Sequence, residues 1–236
     1  FTISVPGWWQ DESADAERYA KRLGVNHHVI AIDGEDVLSV INEVVTAQHE
    51  PFADYSIIPT LLISKYARQK MTVALSGDGG DELFFGYERP LSLLRNGNDF
   101  KWPWLVRAGL YGAGKLGVGK KRSDVIISKS PGEYYFNVNA RFGDAYLEKI
   151  FPGLVSHTGN LDLYAFNRYQ GVLDLANYSR YVEFYGQLQR GLKKVDLASS
   201  HASLEVRVPL LDRQVLELSL KIDPFEMMRG GNRKWV

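Results

Sequence analysis

Three glycines and three acids fall within seven residues of this chain, Ser76-Gly77-Asp78-Gly79-Gly80-Asp81-Glu82. Glycine admits positive φ and close approach of a ligand to the backbone. Successive N–H groups in such a turn form a concave site for anions. Carboxylates beside a phosphate repel it unless a divalent cation lies between them. Mg2+ suits that place, because it takes one or two carboxylates together with phosphate oxygens. The turn therefore reads as a strand-end site for a nucleotide and its metal. No Gly-Lys-Ser/Thr follows, so it is not a P-loop. Spaced acids with a distant Glu are missing, so it is not an EF-hand. A plain Gly-Asp turn joining a strand to a helix is the alternative that this stretch alone leaves open.

The elements around the turn must place it. Residues 71–75 are a short apolar run, expected to be a buried strand. Upstream, 1–5 is β-rich and ends at Pro6-Gly7. Residues 11–23 have helical spacing with Gly24 as a stop, and 25–32 reads as a second strand. Helices are expected over 35–48 and 58–69, the latter admitting Pro59 in its first turn. This order implies an α/β fold, a parallel sheet with crossover helices. Ligands of such sheets bind outside the carboxyl ends of the strands, where 76–82 lies. Trp8 and Trp9 are expected to pack in the core or a cleft wall. His27 and His28 would point to opposite faces of a strand, which favours a structural role over a metal site.

From Arg89 onward the texture becomes helical and aromatic. Short helices are expected over 102–110, 133–142 and 144–151, with longer ones over 161–178 and 180–189. The aromatic spacing in the last two is that of a core stripe. Residues 112–122, rich in glycine and lysine, read as a solvated loop. The sequence thus divides into an α/β nucleotide-binding part, 1–90, and a helical part, 91–236. In Lys194-Val195-Asp196, Lys194 suits a phosphate point charge. Equally, Lys194 and Asp196 form a helix-entry pair with Asp196 as N-cap. Glu205 and Arg207 read as a structural ion pair. Residues 215–220 are helical, stopped by Pro224.

Lys plus Arg equals Asp plus Glu at 28 each, which gives no support for nucleic acid or an anionic membrane as partner. No run approaches the roughly 20 apolar residues of a membrane span, and no leader pattern opens the chain. There is no cysteine, hence no disulfide, zinc thiolate or Cys nucleophile. A cytoplasmic, monomeric or weakly associated enzyme domain fits. The chain opens on Phe1 and stops at Val236 inside a basic segment, so both ends read as cuts through a larger protein.

Ser-Gly-Asp-Gly-Gly-Asp-Glu-Leu-Phe at 76–84, followed by Gly86-Tyr87, resembles a signature of the synthetase domain of the asparagine synthetase family, one of the ATP pyrophosphatases. Two further blocks resemble that family, Pro-Phe-Ala-Asp-Tyr-Ser-Ile-Ile-Pro-Thr at 51–60 and Leu-Glu-Val-Arg-Val-Pro-Leu-Leu-Asp at 204–212. Residues 91–191 match loosely. The segment 192–197 resembles the family's Lys-x-Asp-Arg stretch, with Leu197 in place of the Arg. Gly230-Gly231-Asn232-Arg233-Lys234-Trp235 resembles its Gly-rich Lys-Trp segment.

The resemblance implies an adenine nucleotide alpha hydrolase-like fold that uses ATP and Mg2+. AMP passes to a side-chain carboxylate, pyrophosphate leaves, and an amine converts the acyl-adenylate into an amide. The implied substrates are small molecules, aspartate or another carboxylate such as a sugar acid, with ammonia from glutamine. By the same resemblance Asp81 is the Mg2+ ligand and Asp78 and Lys194 are catalytic. Ser76, Gly77, Gly79 and Gly80 bind the nucleotide, with backbone groups of Ser76 and Gly77 facing it, and Ile3 lines the adenine pocket. A homodimer of the full-length protein is compatible. Phe85 stands where the family usually has Gly and would narrow the pocket mouth, which suits another acyl acceptor. A degenerate, non-catalytic scaffold is the third reading, opposed by the retained Asp78 and Asp81. The family's Ser-Gly-Gly-x-Asp-Ser loop, its glutaminase domain and a C-terminal catalytic Lys have no match here. The chain is therefore expected to be the middle of a synthetase domain, inactive alone.

Overall fold

The computed structural model describes residues 1–236 except Gln10, His49, Pro51, 119–127, 141–143, 154–160, Asn167, Asn232 and 235–236. The loop expected over 112–122 falls partly outside the described residues. The chain forms two compact units, Phe1–Asp78 with Arg190–Pro209, and Gly79–Gln189 with Leu210–Val236. The division falls inside the glycine-acid turn, whereas composition placed a change near residue 90.

The first unit is mixed α/β. Strand β1 (Thr2–Ser4) pairs in parallel with β2 (Val29–Ala31), with Ile3 opposite Ile30. Helix α1 (Ser13–Leu23) makes the crossover and ends on Gly24 in the left-handed region, φ 66°. That residue frees the helix end to turn toward β2, as a glycine stop should. Asp11 fixes the approach to α1, because its two oxygens take Ser13 N (2.8 Å), Ser4 Oγ (2.6 Å) and Val5 N (2.8 Å). The helix expected over 35–48 is two, α2 (Gly34–Ser39) and α3 (Ile41–Ala47), hinged at Val40. Asp33 and Asp36 close a capping box on α2. Helix α4 (Ile57–Arg68) follows, then β3 (Val73–Leu75).

The strands form two parallel pairs rather than one sheet, because β3 pairs with β4 (Glu205–Arg207), a strand the sequence reading did not find. β4 opposes Val73, Ala74 and Leu75 with Glu205, Val206 and Arg207. That pairing draws Arg190–Pro209 into the first unit. It also corrects the expectation of a buried strand, since Leu75 is 71% exposed and Val73 is exposed as well. With β4 as the hydrogen-bonded neighbour, the outer face of the pair carries Val73, Leu75, Glu205 and Arg207. Arg207 Nε donates to Glu205 on that face at 2.8 Å, the expected ion pair. The core of the unit is Val40, Ile57, Leu61 and Ala198, joining α3 and α4 to α11 (Gln189–His201). Asp196 lies inside α11, which removes it as an N-cap. Trp8 and Trp9 are not packed away either, and Trp9 is 84% exposed. They follow a turn at Pro6-Gly7 that carries them outward. His27 bonds Thr2 Oγ1 at 2.9 Å and His28 stacks on Phe1, which gives both histidines structural roles.

The second unit is helical. It contains α5 (Gly80–Leu83), α6 (Glu88–Asn96), α7 (Trp104–Lys115), α8 (Pro131–Asn139), α9 (Asp144–Ile150) and α10 (Val172–Val182). After a π-helical stretch at Glu183–Leu188, α12 (Arg213–Lys221) and α13 (Pro224–Met227) complete it. Its core holds Leu93, Tyr134, Tyr135, Leu175 and Val182, and of the aromatics expected to form a core stripe over 161–189, Tyr164, Phe166, Tyr169 and Tyr178 pack against that core only partly buried. Tyr181 and Tyr185 are exposed. No described helix is long and apolar enough to cross a membrane.

Candidate active site

In the first unit a cleft of about 380 Å³ opens at the carboxyl end of β3. Ser76, Gly77, Asp78 and Lys194 all line it, so four residues singled out from sequence share one cavity. Ala74 and Val206, from the inner face of the β3–β4 pair, form its floor with Ser64 and Ala67 of α4. Phe1 lines the cleft, whereas Ile3, two residues on in β1, is not among its lining residues. Ser76 N–H is already bonded to Arg207 O at 2.9 Å, continuing the ladder. That amide is thus not free for a phosphate. Ser76 Oγ instead donates to Asp78 Oδ2 at 2.7 Å and fixes the carboxylate. A Cβ at Gly77 would meet nothing within 4 Å, so open space adjoins its backbone.

The part of α11 that precedes Lys194 is tied to the loop before α4. Arg190 Nε lies 3.5 Å from Asp54 Oδ2, and Lys193 bonds Glu50. Asp54 Oδ1 also takes Ser56 N at 3.0 Å. Ala198, one turn beyond Lys194, is fully buried. The α11 face that carries Lys194 is thereby pinned at both ends.

Asp81 belongs to the second unit. Its Oδ1 accepts from Lys234 Nζ at 2.6 Å, and its side chain is about a third exposed. A Cβ at Gly86 would come 1.6 Å from that oxygen and 2.3 Å from Lys234 Cε. The space a side chain at 86 would need is therefore taken up by the Asp81 carboxylate and the Lys234 side chain, which pair there. Asp81 brings one carboxylate, and among the described residues no group of three or more His, Asp or Glu gathers to hold a metal ion. Gly79 has φ 88°, and a Cβ there would strike Leu211 Cδ2 at 2.6 Å. Gly80 packs similarly on Leu210, so both glycines serve close packing of α5. Phe85 does not sit at a mouth: it is 1% exposed among Leu91, Ala176, Met227 and Met228. Its φ of 56° explains the glycine usual there, and burial of the ring offsets the backbone strain. Sequence reasoning missed Phe1 and Lys234 as site residues. The only signal for Lys234 was the Gly-rich segment before it.

Clefts beyond the carboxyl ends of parallel strands are where α/β folds take small ligands, and this chain is a mixed α/β protein with such a cleft. The profile of the asparagine synthase family matches residues 1–236, and the chain belongs to that family. Asparagine synthetase (glutamine-hydrolyzing) 1 of Bacillus subtilis is 28% identical over 234 residues, 94% of this chain and 36% of that protein. A Mycobacterium tuberculosis protein is 27% identical over 213 residues, 86% of this chain and 32% of its own length. Amidase chyE of Penicillium rubens is 33% identical over 96 residues, 40% of this chain and 14% of that protein. The chain thus spans about a third of the first two.

Proposed function

We propose that the polypeptide carrying this chain forms an amide from ATP, a carboxylate and ammonia, with aspartate as the carboxylate and asparagine as the product. The fold would be of the adenine nucleotide alpha hydrolase type. The observation that carries the reading is the convergence of Asp78 and Lys194 on one cleft at the end of β3.

The chemistry has two steps. A carboxylate oxygen attacks the α-phosphorus, the bond to the bridging oxygen breaks, and pyrophosphate leaves. The amine nitrogen then attacks the acyl carbon, AMP leaves with the bonding pair, and the nitrogen gives up a proton. Lys194 offers a compact positive charge to phosphate oxygens on which charge accumulates. Asp78, aimed by Ser76, orients the amine and accepts its proton. Asp81 would hold Mg2+, which when bound neutralises phosphate oxygens. Gly77 presents backbone at the cleft without a side chain in the way. The buried position of Phe85 removes the motive for preferring a different acyl acceptor.

The test is pyrophosphate release with ATP, Mg2+ and aspartate, run on the full-length polypeptide and on residues 1–236 alone. Turnover in the former and none in the latter is expected. Turnover with a uronic acid and not with aspartate would replace the substrate. No stabilisation of the full-length protein by Mg2+ and ATP would favour a scaffold.

A further inference from the structure

Helix α7 is turned inside out. Its buried residues are Arg107 and Gly114, while Leu105 is 75% and Leu116 83% exposed. Trp102, Trp104, Leu110 and Val118 are exposed on the same segment. All of it lies within the second unit. Arg107 fixes this orientation. Its Nη1 donates to Ser128 O at 2.7 Å, and its guanidinium lies 4.8 Å from the centre of the Phe100 ring, which packs on the core. The helix is therefore held by its charged residue and offers its apolar ones outward. An ordinary surface helix does the reverse and turns its apolar stripe to the core. A single exposed leucine needs no explanation, but a run of exposed apolar side chains beside a buried polar anchor marks an interaction surface.

The charge along the segment says what this surface meets. From 101 to 122 the sequence has Lys101, Arg107, Lys115, Lys120, Lys121 and Arg122, and no acid. The balance of 28 against 28 over the whole chain conceals this local excess. An outward apolar face flanked by lysines, with tryptophans at one end, is the composition of a helix that lies in the plane of an anionic bilayer. Lysine stems lie along apolar surface and carry their ammonium groups to the headgroups. Leucine and valine neither stack on bases nor pair with phosphate, so a nucleic acid would leave them in water. With 12 residues, α7 is too short to cross a bilayer and would lie on one. A Cβ at Gly109 or Gly112 would meet nothing within 4 Å, so neither is glycine for the sake of packing. Both weaken the helix in water, and a surface that buries its apolar face restores what they cost.

We propose that the segment from Trp102 to Val118 docks on an anionic lipid surface. Leu105, Leu116 and the two tryptophans enter the headgroup region, and Lys101 and Lys115 face the lipid phosphates. Arg107 keeps this face outward and does not touch lipid. The inference is independent of the reaction proposed above.

The experiment is flotation of the full-length polypeptide with vesicles of phosphatidylcholine alone and of phosphatidylcholine mixed with phosphatidylglycerol, at low and high salt. It compares the unchanged protein with Leu105→Gln/Leu116→Gln and with Lys101→Gln/Lys115→Gln. Every replaced side chain is exposed, so Tm should not move. Flotation is expected with the anionic vesicles and little with the neutral ones, and it should weaken in high salt as the lysine charges are screened. Loss of the two leucines should raise the lipid dissociation constant about tenfold to a hundredfold, at roughly tenfold for each leucine no longer buried. Loss of the two lysines should raise it about fivefold for each charge near an anionic surface. No flotation with anionic vesicles, or equal flotation with both kinds, overturns the proposal. So does flotation that both double variants retain in full. A dimer that Leu105→Gln/Leu116→Gln returns to monomers, with no vesicle bound by the unchanged protein, overturns it too and assigns the face to a second copy.

Discussion

Lys234 Nζ stands 2.6 Å from Asp81 Oδ1, and the two side chains meet in the space where a side chain at 86 would stand. An ammonium group and a metal ion cannot both occupy the same lone pair of that oxygen. In the absence of metal the lysine satisfies the carboxylate. A cation bound at Asp81, as proposed above, would displace the lysine from that oxygen. Exchanging Lys234→Met removes the competitor. Mn2+ binding without nucleotide should then tighten about twofold to fivefold, matching the ~0.5–1 kcal/mol of a partly exposed ion pair. Weaker Mn2+ binding in the variant would show that Lys234 organises the carboxylate instead of competing for it.

Two glycine substitutions separate site geometry from folding. Gly86→Ala drives a methyl group into Asp81 Oδ1 and Lys234 Cε, both ends of side chains that can swing aside. Its stability cost should stay near the ~1 kcal/mol of an ordinary substitution, while Mn2+ affinity drops sharply. Gly132→Ala meets backbone, with Tyr164 O at 1.8 Å from the new Cβ. Backbone cannot swing aside, so about 1–3 kcal/mol or more should be lost, with metal affinity unchanged in the folded fraction. Urea denaturation and Mn2+ titration on the same samples give both quantities.

Much of this arrangement was legible in residue order. Gly24 stopped α1, Pro59 sat in the first turn of α4, and the apolar run before Ser76 formed a strand, because each is a local signal. What escaped was set by distant partners. β4 is three residues long, too short for alternation to register, and it exists because Thr72–Leu75 offers it a ladder. Glu205 N–H reaches Thr72 O and Arg207 O takes Ser76 N–H. Leu75 looked like core by type, yet the face it points to is open. Phe85 occupies a left-handed position that local rules assign to glycine, and only its buried surroundings account for it. Within the site, Asp78 and Lys194 are 116 positions apart, so no pattern could join them without the family resemblance.

Burial pushes the Glu82 carboxyl above its ordinary range, with the charges of Asp81 and Glu183 adding to the effect and Tyr87 opposing it. A carboxyl raised in the folded state favours folding in its protonated form. The penalty is absent below the unfolded value of 4.5 and grows as pH rises above it. Glu82→Gln keeps an acceptor for Tyr87 and carries no charge. The variant should match the parent in Tm near pH 4 and exceed it at pH 8. A variant that melts lower than its parent at pH 8 would mean that the charge itself sustains the bond from Tyr87 Oη.

Lys194 decides between chemistry and architecture. It lies in the interior of α11 with its neighbours anchored through Arg190, Lys193 and Ala198, so the helix does not need the ammonium to form. Lys194→Ala retains helix propensity and should leave Tm nearly unchanged. If the ammonium faces phosphate charge that builds as pyrophosphate departs, kcat should fall about 10²–10³-fold, the scale of losing one preorganised donor. KM for ATP should move less, because that charge is greatest in the transition state. Lys194→Arg keeps the charge but changes its shape, and should recover part of kcat. Equal loss in both variants would point to steric placement, whereas an unchanged kcat in Lys194→Ala would remove the residue from the reaction.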